Sequence, residues 1–208
     1  MKEFPILFSA PMVRAILNSQ KTQTRRVVKP KRGGRITGVA GPGMAMEYIG
    51  IDNDGRACFE TLQCPYGQPG GRLWVRETWQ HSNFPLGPYD DRCDIFYRAD
   101  YLDDPHGPDG ELSPEGKYRT WRPSIHMPRA ASRILLEITA VRVEQLLDIT
   151  TVDAIAEGVM ETAPYLKGCP ACSEYRYAYE DLWKSTYGPG SWDANPWVWV
   201  VEFKREQP

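Results

Sequence analysis

Apolar positions along the chain fall in brief runs separated by long polar stretches rich in glycine and proline, a pattern of many short elements. Phe4 to Phe8 reads as a short strand. Ser9 follows as a good N-cap, and Pro11 is tolerated in the first turn of the helix it opens. Met12, Val13, Ile16 and Leu17 share one face of that helix, which fades near Asn18. Lys21 to Val28, rich in Thr and Val, leaves the helix extended. From Lys31 to Gly71 the chain is glycine-rich and punctuated by proline, with one strand near Met46 to Ile51. Arg72 to Trp79 then alternates, Leu73, Val75 and Glu77 against Trp74, Arg76 and Thr78, as a strand does. Glu77 falls on the otherwise apolar side, where a carboxylate is either paired with an arginine or lines a pocket. Arg76 and Glu77 point to opposite faces, so at most one of them lines that pocket.

Residues 82 to 120, dominated by Asp, Pro, Gly and Tyr, are too long for an ordinary connection and read as an insertion, lid or binding loop. Arg133 to Val143 forms a long strand with Ile134, Leu136 and Ile138 inward. Thr150 with Asp153 three residues on makes a capping-box start for a short helix, and Gly158 stands at its expected stop. Tyr175, Tyr179, Leu182 and Trp183 mark an amphipathic helix ending at Gly188. Trp197 to Lys204 is apolar on both faces and therefore a central strand. Several strands with only short helices give an α+β, mainly β, class: a small barrel decorated by helices.

Composition narrows the picture. A chain of 208 residues, 41% hydrophobic and 25% charged, is average for a globular protein, and a single domain is the default. No apolar run approaches the ~20 residues of a membrane-spanning helix, and Met1 to Pro5 carries no signal-peptide core, so a cytoplasmic protein without membrane partners is expected. Five cysteines, an odd number, favour reduced thiols or metal ligands over a disulfide framework. Seven tryptophans and eleven tyrosines mainly supply core, with some left to stack on bases. Charge is uneven: residues 1 to 46 hold nine basic side chains against Glu3 alone, a balance of +8, and the net −2 leaves −10 for the remainder. That asymmetry points to an anionic ligand at the basic end, although Lys29 to Arg35 by itself reads as a solvated loop.

The chemistry gathers in Lys21-Thr22-Gln23-Thr24-Arg25-Arg26. A lysine three residues before a threonine can be a base beside a nucleophile, because a threonine hydroxyl needs a neighbour to take its proton. Lysine serves only if its pKa falls from ~10.4 toward ~7 to 8, the direction in which burial and the adjacent Arg25 and Arg26 push it. On a regular strand residues 21 and 24 point to opposite faces; a turn or bend is needed to bring them together. The plainer reading is a pair of surface residues at a helix end. Cys169-Pro-Ala-Cys172 has the knuckle spacing of a zinc site that Cys58 and Cys64 could complete, but the wider spacing of the latter two makes zinc the lesser reading, structural and away from the pocket. No metal or cofactor is therefore expected. His126, in a proline-flanked segment, reads as a contact to a base or phosphate or as a core histidine. His81 and His106 read as loop residues without a partner.

The order and spacing of these motifs resemble an ASCH domain: a helix, Lys21-Thr22-x-Thr24-x-Arg26, the strand at Arg72 to Thr78, the unit ending Ala156-Glu157-Gly158, and the terminal Trp-Val-Val-Glu-Phe strand. The fuller strings Arg72 to Trp79, Pro123 to Pro128 and Asn195 to Phe203 resemble the branch carried by bacteriophages and prophages. The resemblance implies one PUA-like β-barrel domain over residues 1–208, with insertions at about 29–70 and 82–120, in a bacterial host cytoplasm. Some members are amidohydrolases that deacylate N4-acetylcytidine and related acylated cytosines with a lysine, a threonine and a glutamate. Residue by residue these fall on Lys21, Thr24 and Glu157, with Arg26, Arg76, Glu77 and His126 as expected substrate contacts. Ser19 stands where the family usually has glycine or alanine, a departure that bears on the helix end. The expected ligand is a modified nucleoside or nucleobase. The alternatives are a non-catalytic module that binds RNA or a modified nucleotide, or a ribonuclease, for which no distinctive acid–base pair stands out.

Overall fold

The protein is described here from a computed structural model, over residues 2–30, 35–40, 46–84, 87–102, 120–159 and 174–206. In chain order these form β1 (Glu3–Leu7), α1 (Ala10–Leu17), β2 (Gln23–Val27), β3 (Arg35–Ala40), β4 (Met46–Ile51), β5 (Ala57–Leu62), β6 (Arg72–Arg76), β7 (Trp79–His81), β8 (Ile95–Tyr97), β9 (Leu135–Gln145), α2 (Thr151–Ala156), α3 (Glu174–Tyr187) and β10 (Trp197–Arg205). The class is mixed and mostly β, as the hydrophobic pattern predicts. None of the described ladders closes on itself. The chain divides into two compact units, Met1–Ser19 with Arg72–Glu137 and Arg205–Pro208, and Gln20–Gly71 with Ile138–Lys204.

In the first unit β1 lies parallel to β6, with Ile6 opposite Val75, and β6 runs antiparallel to the start of β9, with Leu73 opposite Leu136. These four side chains are buried, so the alternation seen in the sequence is the alternation of a half-covered sheet. Pro5 is tolerated because β1 is an edge strand. The strand expected to run to Trp79 stops at Arg76. There the Glu77 amide donates to Met127 Sδ at 3.3 Å, and Trp79 starts a separate two-stranded ladder with β8. Trp79 packs with Met127 and Ala131.

In the second unit β10 pairs antiparallel with β2, Val200 opposite Arg25 and Val201 opposite Thr24. Val198 and Val200 pack with Leu146, Ile149, Ala154, Tyr179, Trp183 and Trp192, while Trp199, Val201 and Phe203 are buried as well. Both faces of β10 are covered, as its continuous apolar run requires. Lys31 to Gly71, expected to hold one strand near Met46 to Ile51, contains the three-stranded antiparallel sheet β3-β4-β5. The connection of β4 to β5 is closed by Asp52, whose carboxylate accepts from the amides of Asp54 and Arg56, and by Gly55 at φ 80°, a conformation glycine adopts without strain. Of the 82–120 segment, residues 103–119, with His106, lie outside the described residues.

Candidate functional site

The second unit buries a cluster of charged side chains that its local structure delivers from four directions. The chain enters the second unit at Gln20, just after the first unit's α1, which Asn18 caps and where Ser19 takes φ 59°, a left-handed position that costs a non-glycine residue energy. Lys21 then forms an isolated antiparallel bridge with Glu157, and β2 follows. On the other side Thr150 accepts from the Asp153 amide and Asp153 returns the bond to the Thr150 amide, the expected capping box. This fixes α2, whose C-cap is Glu157. Gly158, at φ 79°, ends it where the sequence places the stop.

Lys21 Nζ donates to Glu157 Oε2 at 2.7 Å and to the Glu157 carbonyl at 2.7 Å, across 136 residues of sequence. Both residues are 2% exposed. Arg25 reaches the same carboxylate, 3.4 Å from Oε1, and pairs with Glu144 at 2.5 Å and Asp153 at 3.4 Å. Gln23 donates to Asp153 at 3.1 Å, and the buried Tyr179 hydroxyl lies 3.5 Å from Glu157 Oε1. Arg142 closes the outer side of the cluster, bonded to Glu144, Asp153 and Glu202.

Burial dominates the electrostatics. It lowers the pKa of Lys21 below that of a free lysine; the Glu157 charge and hydrogen bond oppose this, and Arg26 and Arg25 add to it. Burial raises the Tyr179 hydroxyl well above the usual phenol, and the Glu157 charge adds to that. Burial also works against the charge on Arg25, but Glu157 and Glu144 hold it more firmly protonated than usual. For Asp153 burial is outweighed by hydrogen bonds from Thr150 and Gln23 and the charge of Arg25, and its pKa falls to about 2.

Thr24 is buried, but no described hydrogen bond joins its hydroxyl to Lys21 or Glu157. The contacts of Lys21, Gln23 and Arg25 with Glu157 and Asp153 follow the two-residue repeat of an extended chain, and on β2 Thr24 alternates with Gln23 and Arg25. The bend that would set Thr24 beside Lys21 is not present. Arg26 is half-buried, and its charge acts on Lys21. The other expected contacts belong to the first unit. Glu77 is paired there with Arg133 at 3.0 and 3.1 Å, and burial, partly offset by that arginine, raises its pKa. Arg76 lies over the Trp74 ring at 4.6 Å. His126 is exposed in a single 3-10 turn, Ser124–His126.

His81 departs from its expectation as an unpartnered loop residue. It is fully buried in β7, its Nε2 2.8 Å from an Arg122 guanidinium nitrogen and its ring against Trp79, Phe84 and Tyr89. The aromatic residues on both sides of it in sequence were the signal for a core position. Glu144 and Asp153, central to the cluster, were not singled out as site residues, because one lies just past the expected end of its strand at Val143, whereas the strand runs to Gln145, and the other reads as a cap. Among the described residues no group of three His, Cys, Asp or Glu is placed to hold a metal ion. Cys58 is buried, and burial pushes the Cys64 thiol up to about 11; Cys169 and Cys172 lie outside the described residues. No helix is long and apolar enough to cross a membrane among those residues. No family model, curated protein or solved structure matches the chain.

Proposed function

We propose that the protein is an amidohydrolase that removes the acyl group from an N4-acylated cytosine or a related modified base, with Lys21 and Glu157 as its acid–base pair. The contact that carries this reading is the 2.7 Å bond between Lys21 Nζ and Glu157 Oε2, buried and assembled across 136 residues of sequence. A desolvated lysine with a lowered pKa, bonded to a buried carboxylate, is where acid–base catalysis is sought. The motif resemblance to ASCH enzymes, and with it a PUA-like fold, supplies the reaction and the base; the geometry supplies a pair able to exchange a proton.

The proton count closes as follows. The reaction starts from the tautomer of the ion pair in which the shared proton has passed from Lys21 Nζ to Glu157, leaving Lys21 a neutral amine. It takes the proton of the Thr24 hydroxyl as that oxygen adds to the acyl carbon, and the Glu157 carboxyl protonates the departing cytosine nitrogen. Water then attacks the acyl-threonine, giving its proton to Glu157, while Lys21 returns one to the threonine oxygen. Thr24 reaches Lys21 through a side-chain and backbone adjustment of the segment after Ser19. The test is incubation of purified protein with N4-acetylcytidine and analogues carrying other acyl groups, followed by mass. Loss of the acyl group with release of the free acid supports the reading. Tight binding without turnover identifies a binding module instead.

A further inference from the structure

A second feature of the second unit lies away from the charged pair. Val28, Ile36 and Trp197 with Thr37, Gln145 and Asn195 line most of a cavity of about 430 Å³, within the size range of pockets for small ligands. Val28 and Ile36 are buried, so its deep side is apolar, while Trp197 is half-buried and Thr37 exposed. Backbone bonds hold the wall in place. Asn195 sits at φ 42°, a left-handed position that asparagine adopts more readily than most residues, and its Oδ1 accepts from the Leu147 amide at 2.9 Å. The carbonyls of Pro196 and Trp197 accept from the amides of Leu146 and Val28 at 3.0 and 2.9 Å. The turn that presents the Trp197 indole is thereby tied to two neighbouring segments, and a ligand meets a preformed platform.

The polar groups of the lining define what it accepts. None of the described lining residues is charged, so an ionic ligand would enter without a counter-charge. The Leu147 amide bonds to the oxygen of the Asn195 carboxamide, which leaves the hydrogens on Nδ2 as donors. Thr37 donates its own proton to the Ile49 carbonyl at 2.9 Å, and its oxygen remains as an acceptor. Gln145 is half-buried, and its carboxamide has no hydrogen-bond partner among the described residues; it offers a donor and an acceptor together. A purely apolar ligand would leave these groups unpaired, at a cost. The three residues come from separate segments, β3, the end of β9 and the turn before β10, so the matching groups of a ligand are spread around it and not confined to one edge. A pyranose has that character. Every hydroxyl on its rim both donates and accepts, while the C–H groups of one ring face form an apolar patch that lies on an indole.

We infer that this cavity is a carbohydrate-binding site, taking one neutral hexose ring with an apolar face against Trp197 and its hydroxyls on Thr37, Gln145 and Asn195. The inference does not rest on the hydrolase reading. The ring is either a free monosaccharide or the terminal residue of a glycan.

The experiment is calorimetric titration of the full chain with glucose, galactose, mannose and N-acetylglucosamine, and with a disaccharide that ends in each of them. Sorbitol, a polyol without a ring, and uridine, which carries a flat base, are the controls. Saturable binding of at least one sugar is expected, with Kd in the range of about 10 μM to 10 mM. Trp197→Leu removes the stacking surface and weakens it about fivefold. Gln145→Leu weakens it roughly fivefold through the lost hydrogen bonds. Ala194→Phe, at an exposed rim position, fills the space and weakens it about tenfold; it leaves Trp197 and its backbone bonds intact, and so serves where Trp197→Leu fails to fold. Tighter binding of a disaccharide than of its terminal sugar identifies a glycan as the source; equal or weaker binding identifies the free sugar. No acylated cytosine is present in the titration, so its outcome stands apart from any hydrolysis. Absence of saturation, equal affinity for sorbitol, tighter binding of uridine than of every sugar, or full affinity in both folded Ala194→Phe and Gln145→Leu would overturn the assignment.

Discussion

Lys21 and Glu157 are each other's chief compensation for burial, and that mutual dependence is measurable apart from any activity. Removing one partner of a buried ion pair leaves the other charge stranded, a cost of about 3–5 kcal/mol. Arg25 remains 3.4 Å from Glu157, so Lys21→Met is expected at the lower end, near 3 kcal/mol by denaturant unfolding. Glu157→Gln combined with Lys21→Met removes both charges, and the double variant is expected to be more stable than the sum of the single losses predicts. Additive losses would mean that the two groups do not act as a pair. Thr24 sets the opposite contrast. Its hydroxyl has no described bond to the pair, so Thr24→Val should change stability by less than about 1 kcal/mol, yet on the proposed chemistry it should abolish most hydrolysis. Retained turnover in Thr24→Val would transfer the attack to water.

At the scale of elements, most of what places the site could be read directly. The capping box at Thr150, the stop at Gly158, the two-faced apolar run of β10 and the inward Ile134, Leu136 and Ile138 are all local signals, and each appears where the pattern puts it. The sheet of β3, β4 and β5 was only partly legible, because Thr37, Gly38 and Glu60 interrupt the apolar alternation on its outer strands; the Asp52 to Gly55 turn was the overlooked cue. The relation of Thr24 to Lys21 was not legible at all. It depends on whether the chain after Ser19 bends or stays extended, and the bridge between Lys21 and Glu157, a contact between distant segments, settles it as extended. Ser19 itself carries a test. It occupies φ 59° at the end of α1, so Ser19→Gly should stabilise the protein by about 0.5–1 kcal/mol, read as a raised unfolding midpoint. An unchanged or lowered midpoint would show that the left-handed turn is not strained.

For the molecule as a whole, the charged cluster ties acid stability to one carboxylate. Asp153 has a pKa of about 2 in the fold against 3.8 for the ordinary carboxyl. Between those values the unfolded chain binds a proton that the native chain does not, so this contribution is complete above about pH 4 and is lost as pH falls toward 2. After screening for partial exposure it amounts to about 1–2 kcal/mol. Asp153→Asn should flatten that part of the stability curve, and an unaltered slope would contradict the assignment. The claim on which the functional account stands is that Lys21 moves a proton, and the most direct measurement is the rate of acetate release from N4-acetylcytidine by wild-type protein and by Lys21→Arg. Arginine keeps the charge opposite Glu157 and the attraction for an anion, but with a pKa above ~12 it cannot accept the proton of a hydroxyl. The account predicts release by the wild type and its loss in a folded Lys21→Arg variant. Release by Lys21→Arg at the wild-type rate would contradict it.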